Sequence, residues 1–354
     1  MPSSLKDDGD SAHLSFLVPI VRQNLAKTPS ILTQHINDGS TSSSVMLAEG
    51  QVQTQLDPAD CPHLPPCTVR VLGADALSTA VAILRKSDLW AGKYQEEEDG
   101  DDDNDDNGVG YLDAVAETGD NGGIARGKTI VLNSCSDEAP GGRYSLLASS
   151  AKTVAAHAPS TAHFELPSNH HEHTTQEESI CLSTTLYPTL SPTWYPRPST
   201  GVSSVHGIYS PGVVIFRDPT TLQELPPPEH HVISVLSIAA PHGSSDGSGA
   251  SATSADPNPA DLQLTLTLLR RKIRFFLRTA AANGHERLVL GGAWGCGSHA
   301  CPAELVAREM RATLLESEFS GWFREVVFAI RERGAKGQGG NLKAFCDALD
   351  GVVI

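Results

Sequence analysis

No hydrophobic run in these 354 residues reaches the length of a transmembrane helix. The opening MPSSLKDDGDS has neither the basic nor the apolar region of a secretory signal. A disulfide framework is missing too: the seven cysteines are odd in number and scattered, a usage that fits reduced thiols. The expectation is a soluble intracellular protein, cytoplasmic or nuclear, with no membrane contact. Two nucleotide signatures are also absent, since no GK[ST] follows a glycine turn and no G-x-G-x-x-G opens a helix. Cys61, His63 and Cys67, and the tract of His170, His171 and His173, have no second CxxC to complete a zinc site, so no metal is expected. No other cofactor is implied.

Positive charge is scarce. The net charge is −16, and nine of the negatives (Glu96, Glu97, Glu98, Asp99, Asp101, Asp102, Asp103, Asp105 and Asp106) sit in one short segment, leaving −7 for the rest. Nothing here announces a surface for polyanions, and direct binding of nucleic acid is not expected. A phosphorylated ligand would have to be held by backbone amides and a few local cations. The helix expected from Leu262 to Asn283 does carry Arg270, Arg271, Lys272, Arg274 and Arg278, but with Leu269, Ile273, Phe276 and Leu277 between them it reads as the solvated face of a surface helix.

Low-complexity stretches reduce the globular part to one core within about residues 13–350. The acidic and Gly-rich segment 95–127 reads as a disordered insertion, 144–175 as an insertion loop, and 243–260 as a flexible linker. Between them, residues 13–27 have helical apolar spacing and Asn37 to Ser44 break it. Strands are expected at Thr68–Leu72, Lys128–Asn133, 212–218, 231–241, Leu288–Leu290 and in EVVFAIRE, and helices at ADALSTAVAILRKS, after Thr175, at Pro302–Glu316 and at NLKAFCDAL. Alternating strands and helices of this kind make an α/β domain.

Three of the strands run into glycine turns, which are the ligand edge of an open sheet. The first leads through Gly73 and Ala74 to Asp75, a helix cap or a contact for a base or ribose. The second ends at Asn133 ahead of Pro140, Gly141 and Gly142, where backbone can approach a ligand closely. The third ends in Gly291, Gly292, Gly295 and Gly297 before a helix, an arrangement suited to phosphate or diphosphate. Between these turns stands TQEESICLSTTLYP, with Gln176, Glu177 and Glu178 heading an apolar helix. A capping box from Thr175 to Glu178 accounts for the residues without chemistry. If the chain is an enzyme, its acid belongs here.

The series TVRVLGADALSTAVAIL, KTIVLNSCSDEAPGG, TQEESICLSTTLYPTL, GIYSPGVVIFRD, VISVLSIAAP, NGHERLVLGGAWGCG and WFREVVFAIRE resembles the microbial-type poly(ADP-ribose) glycohydrolase (PARG) catalytic domain, a macrodomain relative. The resemblance implies a three-layer α/β/α macrodomain-like sandwich with a mixed central sheet. It also implies a site for ADP-ribose or poly(ADP-ribose), including chains carried on ADP-ribosylated proteins. By that likeness Glu178 is the acid, Glu177 and Gln176 serve the ribose, the turn of Gly141 and Gly142 passes the diphosphate and distal ribose, and the loop of Gly292, Gly295 and Gly297 holds the diphosphate from the other side. Asn133 and Asp75 complete the expected ligand contacts. The chain departs from the family pattern at Ala139, where asparagine is usual, at Arg143, where a third glycine is usual, at His299, where an aromatic residue is usual, and in the length of 144–175. A non-catalytic ADP-ribose-binding module on the same fold is the alternative.

Overall fold

The computed structural model describes residues 15–90, 128–153, 174–197, 205–241, 259–296, 301–331 and 340–354. Seven strands form one mixed sheet: β1 (Val45–Ala48), β2 (Arg70–Leu72), β3 (Thr129–Cys135), β4 (His206–Ile215), β5 (His231–Ala239), β6 (Arg287–Gly291) and β7 (Glu325–Ala329). Their order across the sheet is β1-β4-β5-β3-β6-β7-β2. β3 lies between β5 and β6, parallel to both, and β6–β7–β2 continue in parallel. β4 and β1 add an antiparallel edge.

The central strands are apolar runs because both faces are covered. β5 is buried along its whole length, and so is β6. On one face, Ile130, Leu132, Leu236, Leu288 and Phe328 pack with residues of helices α5 (Pro259–Ala282), α6 (Ala303–Leu314) and α7 (Asn341–Leu349). On the other, Val131, Ile233, Val235 and Val289 pack with α1 (Val18–Gln34), α2 (Ala76–Trp90), α3 (Tyr144–Thr153) and α4 (Gln176–Ser183). The expected three-layer α/β/α sandwich is the architecture found. No helix of the described residues is long and apolar enough to cross a membrane.

Several expectations need correction. Residues 144–153 are not loop but the helix α3, because Tyr144, Leu147, Ala148 and Ala151 recur at helical spacing and form a buried stripe hidden among serines and alanines. The remainder of that insertion, 154–173, lies outside the described residues, as do the acidic segment 95–127 and most of the linker 243–260, whose last two residues already belong to α5. The edge strand β1, after the polar stretch Asn37–Ser44, has no counterpart among the expected strands, because its residues are only half buried and do not form an apolar run. β4 begins at His206, well before the expected 212, with a register shift between Ser210 and Val213 at Pro211. Proline has no N–H for the ladder, which confines it to such irregularities.

The α5 basic stripe is not a free solvated face. Arg270 pairs with Glu309, Arg271 with Glu49, Arg274 with Glu316 and Arg278 with Glu318. Lys272 is buried and donates from Nζ to the Ala239 carbonyl at 2.8 Å, at the carboxyl end of β5. Desolvation pushes its ammonium down to about 8.

The bulge in β4 sets a local steric limit. A Cβ on Gly212 would stand 2.3 Å from the Gly39 carbonyl oxygen and 2.6 Å from the Thr41 amide nitrogen, and both are backbone. Gly212→Ala is therefore expected to lower stability by about 1–3 kcal/mol, read as a reduced urea midpoint at unchanged slope; an unchanged midpoint would refute the tight packing of the edge against residues 39–41.

Candidate active site

β3, β5, β6, β7 and β2 all deliver their carboxyl ends to the same edge of the sheet. There a cavity of about 910 Å³ opens. Its lining comes from the segments that follow those strands: Ser134–Glu138, Ala239–Ala240, Gly292–Gly295, Ala329–Arg331 and Ala74–Leu77, with Thr174–Ile180 of the α4 entry across them. Open α/β sheets bind ligands in such a crevice.

α4 starts with the expected capping box. The Glu178 amide donates to Thr175 Oγ1 at 3.3 Å and the Thr175 amide donates to Glu178 Oε2 at 2.9 Å. Capping and a place in the cavity are thus properties of the same residue, not competing accounts of it. Glu178 is buried, and its carboxylate takes a two-point grip from Arg143, whose Nε donates to Oε1 at 2.9 Å and Nη2 to Oε2 at 3.0 Å. The Arg143 amide adds a longer contact to Oε1 at 3.3 Å.

Glu177 is equally buried but turns the other way, toward the loop after β3. Its Oε2 accepts from the Ser136 amide at 2.7 Å and its Oε1 from the Gly141 amide at 3.2 Å. Burial is the dominant influence and pushes its carboxyl up to about 8, against the pull of those two amides and of the Arg197 guanidinium. At neutral pH, Glu177 is mostly protonated. Arg197 is buried next to this loop, donating to Cys135 Sγ at 2.8 Å and to the Ser136 carbonyl. Gly141 and Gly142 make the approach possible: both have left-handed backbone, at φ 70° and 58°. A Cβ on Gly142 would stand 3.5 Å from Glu177 Oε2 and 3.6 Å from Glu178 Oε1, so this turn runs directly over the two carboxyls.

Gln176 anchors α4 to the sheet. Its Nε2 donates to the Leu132 carbonyl at 2.9 Å and its Oε1 accepts from the Ser134 amide at 3.3 Å. Asp75 caps α2, accepting from the Leu77 and Ser78 amides at 3.0 and 2.9 Å, and also lines the cavity, paired with Arg331 at 3.3 Å. Two expected ligand contacts are placed differently from the others. Asn133 is fully buried in the sheet, where its Nδ2 donates to Ser237 Oγ at 3.0 Å, and it is not part of the cavity lining. Gly292 lines the cavity, but its amide donates to the Ala329 carbonyl at 2.8 Å and so is not offered to an anion. Gly295 also lines it, whereas Gly297 and His299 lie outside the described residues. No group of histidines, cysteines and acids among the described residues could hold a metal ion.

Arg331, Ser136 and Arg197 have no counterpart in the sequence expectations. The signal for Arg331 was available, since it follows β7 at the same carboxyl edge as the glycine turns.

Residues 170–218, which include Gln176–Glu178, match the family model of the microbial-type PARG catalytic domain. No curated protein matches the chain. Among solved structures, the PARG of Thermomonospora curvata superposes with a TM-score of 0.56 at 22% identity, over 93% of this chain and 98% of that one, a likeness of fold. The same enzyme bound to the inhibitor ADP-HPD gives 0.55 at 22%, over 92% and 98%. The Deinococcus radiodurans PARG in complex with ADP-ribose gives 0.50 at 26%, over 80% and 84%.

Two outcomes follow from the local geometry. The raised Glu177 carboxyl contributes stability that is complete below its ordinary value of 4.5 and is lost as pH rises through about 8. Wild-type stability should therefore decline between those pH values, and Glu177→Gln should flatten the decline in urea unfolding series; an identical slope in both would overturn the burial argument. Gly291→Ala would place a Cβ 1.9 Å from Gln176 Nε2 and 2.7 Å from Ala76 Cβ. It should dislodge Gln176, lowering stability by about 1–3 kcal/mol, read as a reduced urea midpoint, and weakening ligand binding at the cavity.

Proposed function

We propose that this chain is a poly(ADP-ribose) glycohydrolase that takes an ADP-ribosyl unit into the cavity and hydrolyses ribose–ribose bonds, with Glu178 as proton donor. The observation that carries the reading is the Gln176–Glu177–Glu178 box, buried at the mouth of α4 and roofed by the turn of Gly141 and Gly142. It lies inside the segment that matches the microbial-type PARG catalytic domain.

The chemistry needs a proton on the glycosidic oxygen as its bond to the anomeric carbon breaks, and an oxocarbenium-like centre that water then attacks. Glu178 gives that proton and its carboxylate recovers one from the attacking water, so the acid is restored after each turnover. Glu177 and Glu178 follow each other on one helix and point about 100° apart. They are not the opposed carboxylates of an ordinary glycosidase, and a substrate-positioned water completes the site. Glu177, protonated at neutral pH, has an O–H to donate to a ribose hydroxyl. Gln176 holds the helix entry in place from below through Leu132 and Ser134. The substrates are ADP-ribose chains on modified proteins. No disulfide joins any of the seven cysteines, which fits a reducing intracellular setting, cytoplasmic or nuclear.

The raised carboxyl of Glu177 supports a second assignment, in which Glu177 and not Glu178 is the donor. Release of ADP-ribose from purified poly(ADP-ribose) separates the two. Glu178→Gln should lower kcat about 10²- to 10⁴-fold while ADP-ribose binding is retained, and Glu177→Gln should act mainly on KM. The reverse pattern would move the donor to Glu177. Binding without release, in the wild type as well as the variants, would make the chain a reader of ADP-ribose.

A further inference from the structure

The cavity has the wrong charge for its proposed ligand. Its described lining holds five acidic side chains, Asp75, Asp137, Glu138, Glu177 and Glu178, and only two cationic ones, Arg143 and Arg331. Both arginines are committed to carboxylates: Arg331 to Asp75 at 3.3 Å, and Arg143 to Glu178 through two bonds of 2.9 and 3.0 Å. A diphosphate entering here meets a net negative wall, and backbone help is limited because the Gly292 amide is already bonded to Ala329.

The two pairs differ in strength and in reach. Arg331 makes a single longer contact with a half-buried aspartate that is also held by the α2 amides. Arg143 makes a planar fork on a buried carboxylate, the geometry in which arginine binds carboxylate and phosphate alike. Its side chain is 31% exposed while that of Glu178 is 3% exposed, so the guanidinium is the mobile partner and faces the cavity. Glu178 meanwhile accepts four N–H donors, three from Arg143 and one from Thr175. With all four in place, a proton on either oxygen would point at a donor.

We propose that Arg143 is a specificity-determining residue that exchanges partners: its guanidinium grips Glu178 and transfers to the diphosphate of an arriving ADP-ribosyl group, so that Glu178 is released only by a substrate carrying that diphosphate. The inference rests on the reading of the cavity as an ADP-ribose site. The exchange makes the glutamate and the diphosphate competitors for one cation, and competition is a measurable coupling.

Binding titrations of ADP-ribose and of adenosine to the full chain test it without any turnover. Glu178→Gln, which removes the competing charge, should bind ADP-ribose about tenfold more tightly than wild type. Arg143→Leu should bind it about tenfold more weakly, with adenosine unchanged in both. In the double variant the gain from Glu178→Gln should vanish, because no guanidinium is left to transfer. A gain of equal size with and without Arg143 would show plain charge relief and overturn the exchange. So would Arg143→Leu binding ADP-ribose as well as wild type. Arg143→Lys keeps the cation without the two-point grip and guards against a folding defect in the leucine variant; it should match or exceed wild-type affinity, and a tenfold loss would sink the proposal. If the wild type binds no ADP-ribose, the proposed function itself fails, an outcome distinct from binding without coupling.

Discussion

The site depends on burying two adjacent carboxyl groups at the start of one helix. Each must find N–H donors in a place that water does not reach, since an unpaired buried charge costs several kcal/mol. The fold supplies them from separate elements. Glu177 takes amides from the loop after β3, and Glu178 takes the Thr175 amide and the Arg143 fork. That arrangement requires β3 to end where it does, the turn at Gly141 and Gly142 to fold back in left-handed backbone, and α3 to start immediately after Arg143. The central position of β3 follows from the same need. It is the fourth of the seven strands, flanked by β5 and β6.

Burial on both faces is what made the core legible. β3, β5 and β6 are continuous apolar runs, and such runs announce a covered strand without any knowledge of partners. The periphery was harder to see for the same reason. β1 is half buried and polar in its approach, the first part of β4 passes through a proline bulge, and α3 hides its apolar stripe in a Ser- and Ala-rich stretch. Within the site, Gln176, Glu177 and Glu178 were readable because the capping pattern and the turn residues are local. Their partners were not. Ser136, Gly141 and Arg143 lie more than thirty residues away along the chain, and only the sheet brings them together.

Asn133 shows the opposite failure. Its place after an apolar strand and before a glycine turn suggested a ligand contact, but strand residues alternate between faces. β3 continues to Cys135, so position 133 still lies within the sheet and points into a layer where Ser237 is its neighbour. Two further residues of strand were enough to move the ligand edge from Asn133 to Ser134–Glu138. Gly292 illustrates a related point: a glycine at a strand end offers space, but its amide belongs to the ladder as long as the neighbouring strand has a carbonyl to give, and Ala329 does.

The two glutamates are buried to the same degree and differ in the donors that reach them. Glu177 has two backbone amides and the nearby Arg197, which do not offset the loss of solvent, and its carboxyl rises to about 8. Glu178 stands at the positive end of α4 with the guanidinium fork upon it. An acid in the reaction proposed here must be protonated when the glycosidic oxygen arrives. Arg143 therefore bears directly on the acid. It places a cation on that carboxylate, and the proposed exchange with a diphosphate is what would free the carboxylate to meet the glycosidic oxygen.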